Sequence, residues 1–225
     1  MKENERMHKP LRKLIPYEEF DYQTLLNALK GYAHPRDRIT TLLSKGTIIR
    51  VKKGLYVFGD DHRQRPYSRE ILANLIYGPS YISLEFALQY HGIIPERVEA
   101  VTSVTVGRSR KFITPIGQFI YRMIPMLAFR TGVDKVEIGA GRSFLIAVPE
   151  KALSDKLRLD RASIRTQKEL QSYLFDNLRI EPVAVQEMRP DRLEEYADRY
   201  HSRKILLLSK LACRLGGHKR GNARA

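Results

Sequence analysis

The stretch from Pro35 to Phe58 constrains this chain most, because two periodicities meet in it. Ile39, Leu42 and Leu43 recur at helical spacing, so they share one face of a short helix. Pro35 suits a first helical position, where its missing N–H would be unpaired in any case. Gly46 supplies a C-terminal stop. The opposite face carries Asp37, Thr40, Thr41 and Ser44, flanked by Arg38 and Lys45, with no large apolar residue. From Thr47 the pattern changes. Ile48 to Phe58 is β-branched and alternating, with Lys52-Lys53-Gly54 at its middle. That spacing predicts a two-stranded hairpin with a basic tip.

A helix followed by a basic hairpin is the way a winged helix-turn-helix meets DNA, helix in the major groove and wing on phosphate. The same face can equally be a solvated helix surface and the lysines ordinary turn residues. The direct succession of helix and hairpin favours DNA. Arg36, Arg38, Thr40, Thr41, Ser44, Lys45, Arg50, Lys52 and Lys53 are therefore the expected DNA-facing residues. A helix precedes this stretch, capped by Asp21, with Tyr22, Leu25, Leu26 and Leu29 on one side. A third helix, which such a fold needs, falls in residues 11–18 or is absent.

Charge fits an anionic partner. The 225 residues carry 40 Lys+Arg against 25 Asp+Glu, a net +15. The excess is +6 in residues 1–66 (14 against 8), +3 in 67–188 (16 against 13) and +6 in 189–225 (10 against 4). Both ends are basic and the middle is nearly balanced. No apolar run approaches the ~20 residues that span a bilayer, and Met1 to Lys13 does not read as a secretory signal. One cysteine, Cys213, excludes an internal disulfide and fits a cytoplasmic location, with no membrane partner.

Taken in order, residues 1–16 read as a basic arm and 17–62 as the DNA-binding domain. The polar stretch Asp60 to Pro66 is a linker. Residues 67–160 read as an α/β domain. It has helices capped by Ser68 and Ser83, strands at Ala100–Val106, Phe112–Thr114, Gln118–Met123, Lys135–Ile138 and Ser143–Val148, and a helix opened by Pro149. Gly107 to Lys111 reads as a basic turn. Residues 161–225 are a helical basic segment, with a Thr166/Glu169 capping box and helices near Asp191–Tyr200 and Lys204–Leu215. The fold class is α+β: an N-terminal winged helix-turn-helix, a mixed α/β domain and a helical C-terminal segment.

Several motifs then resemble a known family. Val51-Lys52-Lys53-Gly54-Leu55-Tyr56, the run from Tyr81 to Glu96, Thr114-Pro115-Ile116-Gly117 with Tyr121, and Ile146 to Asp155 are similar, in order and spacing, to AbiEi-type antitoxins of abortive-infection systems. The likeness covers about residues 17 to 160. It implies a type IV toxin–antitoxin function. The winged helix would repress its own operon at promoter DNA, and the remainder would counter a nucleotidyltransferase-like toxin. The resemblance implies no enzymatic activity and no cofactor.

The polar residues of that second region have two readings. Ser83, Glu85, Tyr90 and His91 make a motif-like set, as do Glu150, Lys151 and Asp155. On the ordinary reading Ser83 caps a helix, Glu85 answers its dipole and His91 closes its end. On the other, Glu150, Lys151 and Asp155 after a strand, with Glu137 upstream, form a metal-dependent nuclease centre. The chain would then be a nucleic-acid-processing enzyme targeted by its winged helix. No Gly-rich phosphate loop, Cys/His metal spacing or Ser/His/Asp arrangement appears in the sequence.

Overall fold

The computed structural model describes residues 11–139 and 141–222, with side chains to 217. It is mixed α+β with a helical C-terminal region. The first unit runs α1 (Leu11–Leu14), β1 (Glu19–Asp21), α2 (Tyr22–Ala28), α3 (Pro35–Ser44), β2 (Ile48–Lys52) and β3 (Leu55–Phe58). Asp21 caps α2 by accepting from the Thr24 amide at 2.8 Å. Pro35 opens α3 and Gly46, at φ +67, follows its end. The strands form an antiparallel sheet in the order β1-β3-β2. A bulge between Arg50 and Lys52 precedes a tight Lys53-Gly54 turn, where Gly54 takes φ +86.

This sheet is apolar on both faces. Tyr56 and Phe58 face α2 and α3 and build a small core with Phe20, Leu25, Leu29, Ile39, Leu42 and Ile48. Leu55 and Val57 point the other way, because strand side chains alternate. With Val51 they enter the large core of the rest of the molecule. The basic arm expected over 1–16 does not extend through Leu11 to Ile15. Residues 1–10 lie outside the described ones, whereas Leu11–Leu14 is helical and Ile15 is 0% exposed. Arg12 is bound to Glu18 at 2.6 Å, with its guanidinium over the Phe58 ring.

The second region adds α4 (Arg69–Ile76), β4 (Ser80–Ile82), α5 (Leu84–Tyr90), β5 (Val101–Thr105), β6 (Arg110–Thr114), β7 (Gly117–Met123), α6 (Met126–Phe129), β8 (Val133–Glu137), β9 (Ser143–Ala147) and α7 (Pro149–Leu159). The sheet order is β6-β7-β5-β4-β9-β8. Three antiparallel pairings, β4/β5, β6/β7 and β8/β9, are joined by parallel β5/β7 and β4/β9 pairings. Arg110 and Lys111 belong to β6, so the basic turn is shorter than its sequence predicts.

The C-terminal helices are α8 (Gln167–Ser172) continuing into a π-helical turn (Tyr173–Asn177), α9 (Pro182–Gln186), α10 (Pro190–Tyr200) and α11 (Arg203–Asn222). Ser68 caps α4, and Thr166 and Glu169 form the expected box on α8. Leu170, Leu193, Tyr196, Ile205, Leu208 and Leu211 belong to the same core as the six-stranded sheet. Residues 161–217 are therefore part of the second region's globule. Cys213 is exposed. No helix among the described residues is long and apolar enough to cross a membrane.

The expected linker is also a joint. Glu18 accepts from the Gln64 and Arg65 amides at 3.3 and 3.2 Å. The neighbouring Glu19 accepts from the Ser68 amide and pairs with Arg142, from beyond β8, at 2.6 Å. Both glutamates are buried. A buried carboxylate is tolerable only when so paired.

Candidate nucleic-acid interface

Helix α3 lies on the first unit with Ile39 and Leu42 inside and its other face open. Arg36, Thr40, Ser44 and Lys45 are exposed, and Arg38 and Thr41 half-buried. Arg38 stacks over the Tyr32 ring, 5.2 Å from guanidinium carbon to centroid, which holds its stem against the surface. Among the described residues no carboxylate forms an ion pair with Arg36, Arg38, Lys45, Arg50 or Lys53.

The hydroxyls are not free donors. Thr40 donates to the Arg36 carbonyl at 3.4 Å, Thr41 to the Asp37 carbonyl at 3.0 Å and Ser44 to the Thr41 carbonyl at 3.0 Å. Their protons are turned into the helix, and their oxygen lone pairs face outward as acceptors.

The two hairpin lysines differ. Lys53 is exposed in the turn. Lys52, expected to stand with it at the tip, is the last residue of β2 and donates to the Ile76 carbonyl at the end of α4. Burial there lowers its ammonium pKa. This corrects the sequence reading: the Arg50/Lys52 bulge and the packing of Val51 carry Lys52 inward, against the second region. Arg50 stays exposed on the same strand.

The polar set of the second region separates into distinct places. Ser83 precedes α5, but its hydroxyl makes no cap. It donates instead to Asp155 Oδ2 at 2.7 Å. Thr102 takes the capping role, since its Oγ1 accepts from the Phe86 amide and donates to the Ser83 carbonyl. Glu85 pairs with Lys156 at 2.8 Å. The His91 Nε2 lies 2.8 Å from the Ala147 carbonyl, and the half-exposed Tyr90 ring stands edge-on to His91 and Phe144. Glu150 accepts from the Arg189 amide at 3.2 Å.

Lys151 and Asp155, one turn apart on α7, are both 0% exposed and bonded to each other. Tyr200 shares them: Lys151 donates to its hydroxyl at 3.0 Å, and that hydroxyl donates to Asp155 Oδ1. The Lys151 ammonium lies 4.8, 5.6 and 5.9 Å from the ring centroids of Tyr200, Tyr81 and Tyr196. Burial pulls its pKa down and Asp155 opposes the shift. Burial, then the Asp155 charge, pushes the Tyr81 and Tyr200 phenols far up, while burial and Glu150 bring Tyr196 to about 12. Gly132 leaves room for this packing, since a Cβ there would stand 2.4 Å from the Tyr196 hydroxyl.

This geometry does not bring Glu137 to the cluster. Glu137 is exposed on β8 and pairs with Lys135 at 3.0 Å. Among the described residues no group of three His, Cys, Asp or Glu side chains stands close enough to hold a metal ion. The partners that sequence reading missed, Tyr81, Tyr196 and Tyr200, come from β4 and α10. The i,i+4 spacing of Lys151 and Asp155 was the one local signal of a pair.

No protein-family model matches the chain, and no curated protein matches its sequence.

Proposed function

We propose that this chain is a cytoplasmic DNA-binding autorepressor and the antitoxin of an AbiE-like type IV toxin–antitoxin pair, opposing a nucleotidyltransferase-like toxin. One observation carries the DNA-binding part: the open face of α3, bearing Arg36, Arg38 and Lys45 without acidic partners. The order of elements supports it. Helix, strand, two helices and a hairpin, with a three-stranded antiparallel sheet, is the order of a winged helix-turn-helix. In this reading α3 enters the major groove, Lys53 and Arg50 touch phosphate, and Lys52 serves the joint instead of the duplex. The antitoxin part rests on the resemblance of the motifs from Val51 to Asp155.

The hydroxyl geometry sharpens the readout. With their protons turned inward, Thr40, Thr41 and Ser44 can accept from the amino groups of cytosine or adenine, and the threonine methyls can pack on thymine methyls. Arg38→Ala should cost about 1–3 kcal/mol on the operator if it reads guanine, and should relax preference at one position. The test compares affinity for the chain's own upstream DNA and for scrambled DNA at one salt concentration. If Arg38→Ala, Thr40→Ala and Thr41→Ala all keep the wild-type ratio, α3 is not the reader. Co-expression with a neighbouring nucleotidyltransferase-like gene tests the antitoxin half; growth no better with the chain than without it would reject that half.

A further inference from the structure

The end of α7, residues 160–165 and the start of α11 enclose an open hollow of ≈ 430 Å³. Arg158, Arg165, Arg203 and Lys204 line it, with His201 beside them and Asp160 as the one carboxylate. Four permanent cations thus converge from three separate elements.

Asp160, whose partner Lys156 is shared with Glu85 at 2.8 Å, offsets at most one of the four. Its carboxylate already accepts from the Ala162 amide at 2.8 Å, the Tyr173 hydroxyl at 2.8 Å and the Lys156 ammonium at 3.0 Å. Arg158, Arg165 and Arg203 have no ion-pair partner among the described residues. Lys204 donates one bond to the Asp160 carbonyl at 3.0 Å and has two donors left. Four cations gathered in a concave site with one carboxylate repel one another, and an anion relieves the excess. Arginine supplies planar paired donors that suit phosphoryl oxygens. His201 adds a further feature. It ends α10 at φ 47, in the left-handed backbone region, and its imidazole stands at the hollow.

We propose that this hollow binds a small polyphosphate ligand, of the class of nucleoside di- and triphosphates, through its phosphoryl groups. The proposal shares no residue with α3 or the β2–β3 hairpin and stands or falls apart from promoter recognition.

The experiment is calorimetric titration of the full chain with inorganic tripolyphosphate and with ATP, at about 0.15 M salt where diffuse surface attraction is screened. Both probes should bind once per chain. Arg158→Gln and Arg203→Gln, at exposed positions, should each weaken binding about tenfold, the loss of one charge-assisted contact. Lys135→Gln, on the far edge strand of the sheet, should bind like wild type, and far-ultraviolet circular dichroism should show all three variants folded. Absence of saturable binding would overturn the site, as would equal binding by wild type and both arginine variants. A parallel titration with a 20-base-pair duplex separates the sources of phosphate. If the arginine variants lose duplex affinity by the same factor as tripolyphosphate affinity, the cations serve a nucleic-acid surface and the small-ligand proposal is wrong.

Discussion

Helices α3 and α7 both open on proline and differ in length by one residue, yet they treat charge in opposite ways. Helix α3 buries only Ile39 and Leu42 and leaves Arg36 exposed and Arg38 half-buried. Helix α7 buries everything from Glu150 to Asp155, including a lysine, an aspartate and a serine. The difference lies in what surrounds each. A helix covered on one side needs one apolar stripe, and its other face is free to carry charge. Helix α7 is enclosed by β9, α5, α10 and α11, so its polar residues must find partners inside. Arg36 on α3 is available to a ligand, whereas Lys151 is already engaged by Asp155 and Tyr200.

The largest test of this contrast is Asp155→Ala. It leaves the Lys151 ammonium buried without its counter-ion, and urea unfolding should show a loss of about 3–5 kcal/mol. A loss under about 1 kcal/mol would mean that Lys151 is neutral or solvated. Removing both charges, with Lys151→Met and Asp155→Leu, should recover part of the loss.

Next comes acid. Burial works against ionisation of Asp160, but the Ala162 amide, the Tyr173 hydroxyl and Lys156 outweigh it and hold its carboxyl at about 2, below the ordinary 3.8. A depressed carboxyl stabilises the folded chain above its unfolded pKa, and that stability is lost as pH falls toward the folded value. Stability should drop by on the order of 2 kcal/mol between pH about 4 and about 2. The Asp160→Asn variant should flatten that part of a pH–stability curve. An unchanged acid limb would show that the carboxyl is not held by these donors.

On α3 the same kind of change should do little to the fold. Thr40→Ala and Arg36→Ala should stay within about 0.5 kcal/mol of wild type in unfolding. A larger loss would put this face in contact with something within the chain. The smallest effect separates the two hairpin lysines. If the hairpin meets phosphate, Lys53→Ala should lower the salt dependence of DNA binding by about 1, and Lys52→Ala should leave it unchanged. Equal slopes for the two variants would mean that Lys52 leaves the Ile76 carbonyl on binding.

Features that obey local rules were legible in advance. The Asp21 and Ser68 caps, the Thr166/Glu169 box, the glycine after α3 and the hairpin each depend on residues within a few positions. Strands β1 and β4, three residues each, were too short for alternation to register. Their place is set by β3 and β5, which lie elsewhere in the chain. The same limit hid the partners of charged groups. Lys52 reads as a turn lysine until Ile76 is beside it, and Ser83 reads as a cap until Asp155 takes its proton. Helix α3 could be read well because its polar face has few tertiary partners.

The three-stranded sheet, apolar on both faces, also bears on how such a chain can be inherited. A portable module needs a seam along which it can be cut and joined to another protein without exposing its interior. The polar stretch before α4 resembles a seam only in composition. A cut there would uncover Val51, Leu55 and Val57 together and leave Arg142 without Glu19. The first unit and the globule behind it therefore form one heritable piece. A change of side-chain volume on the shared face of β3 is felt in the large core, because Leu55 and Val57 are packed within it.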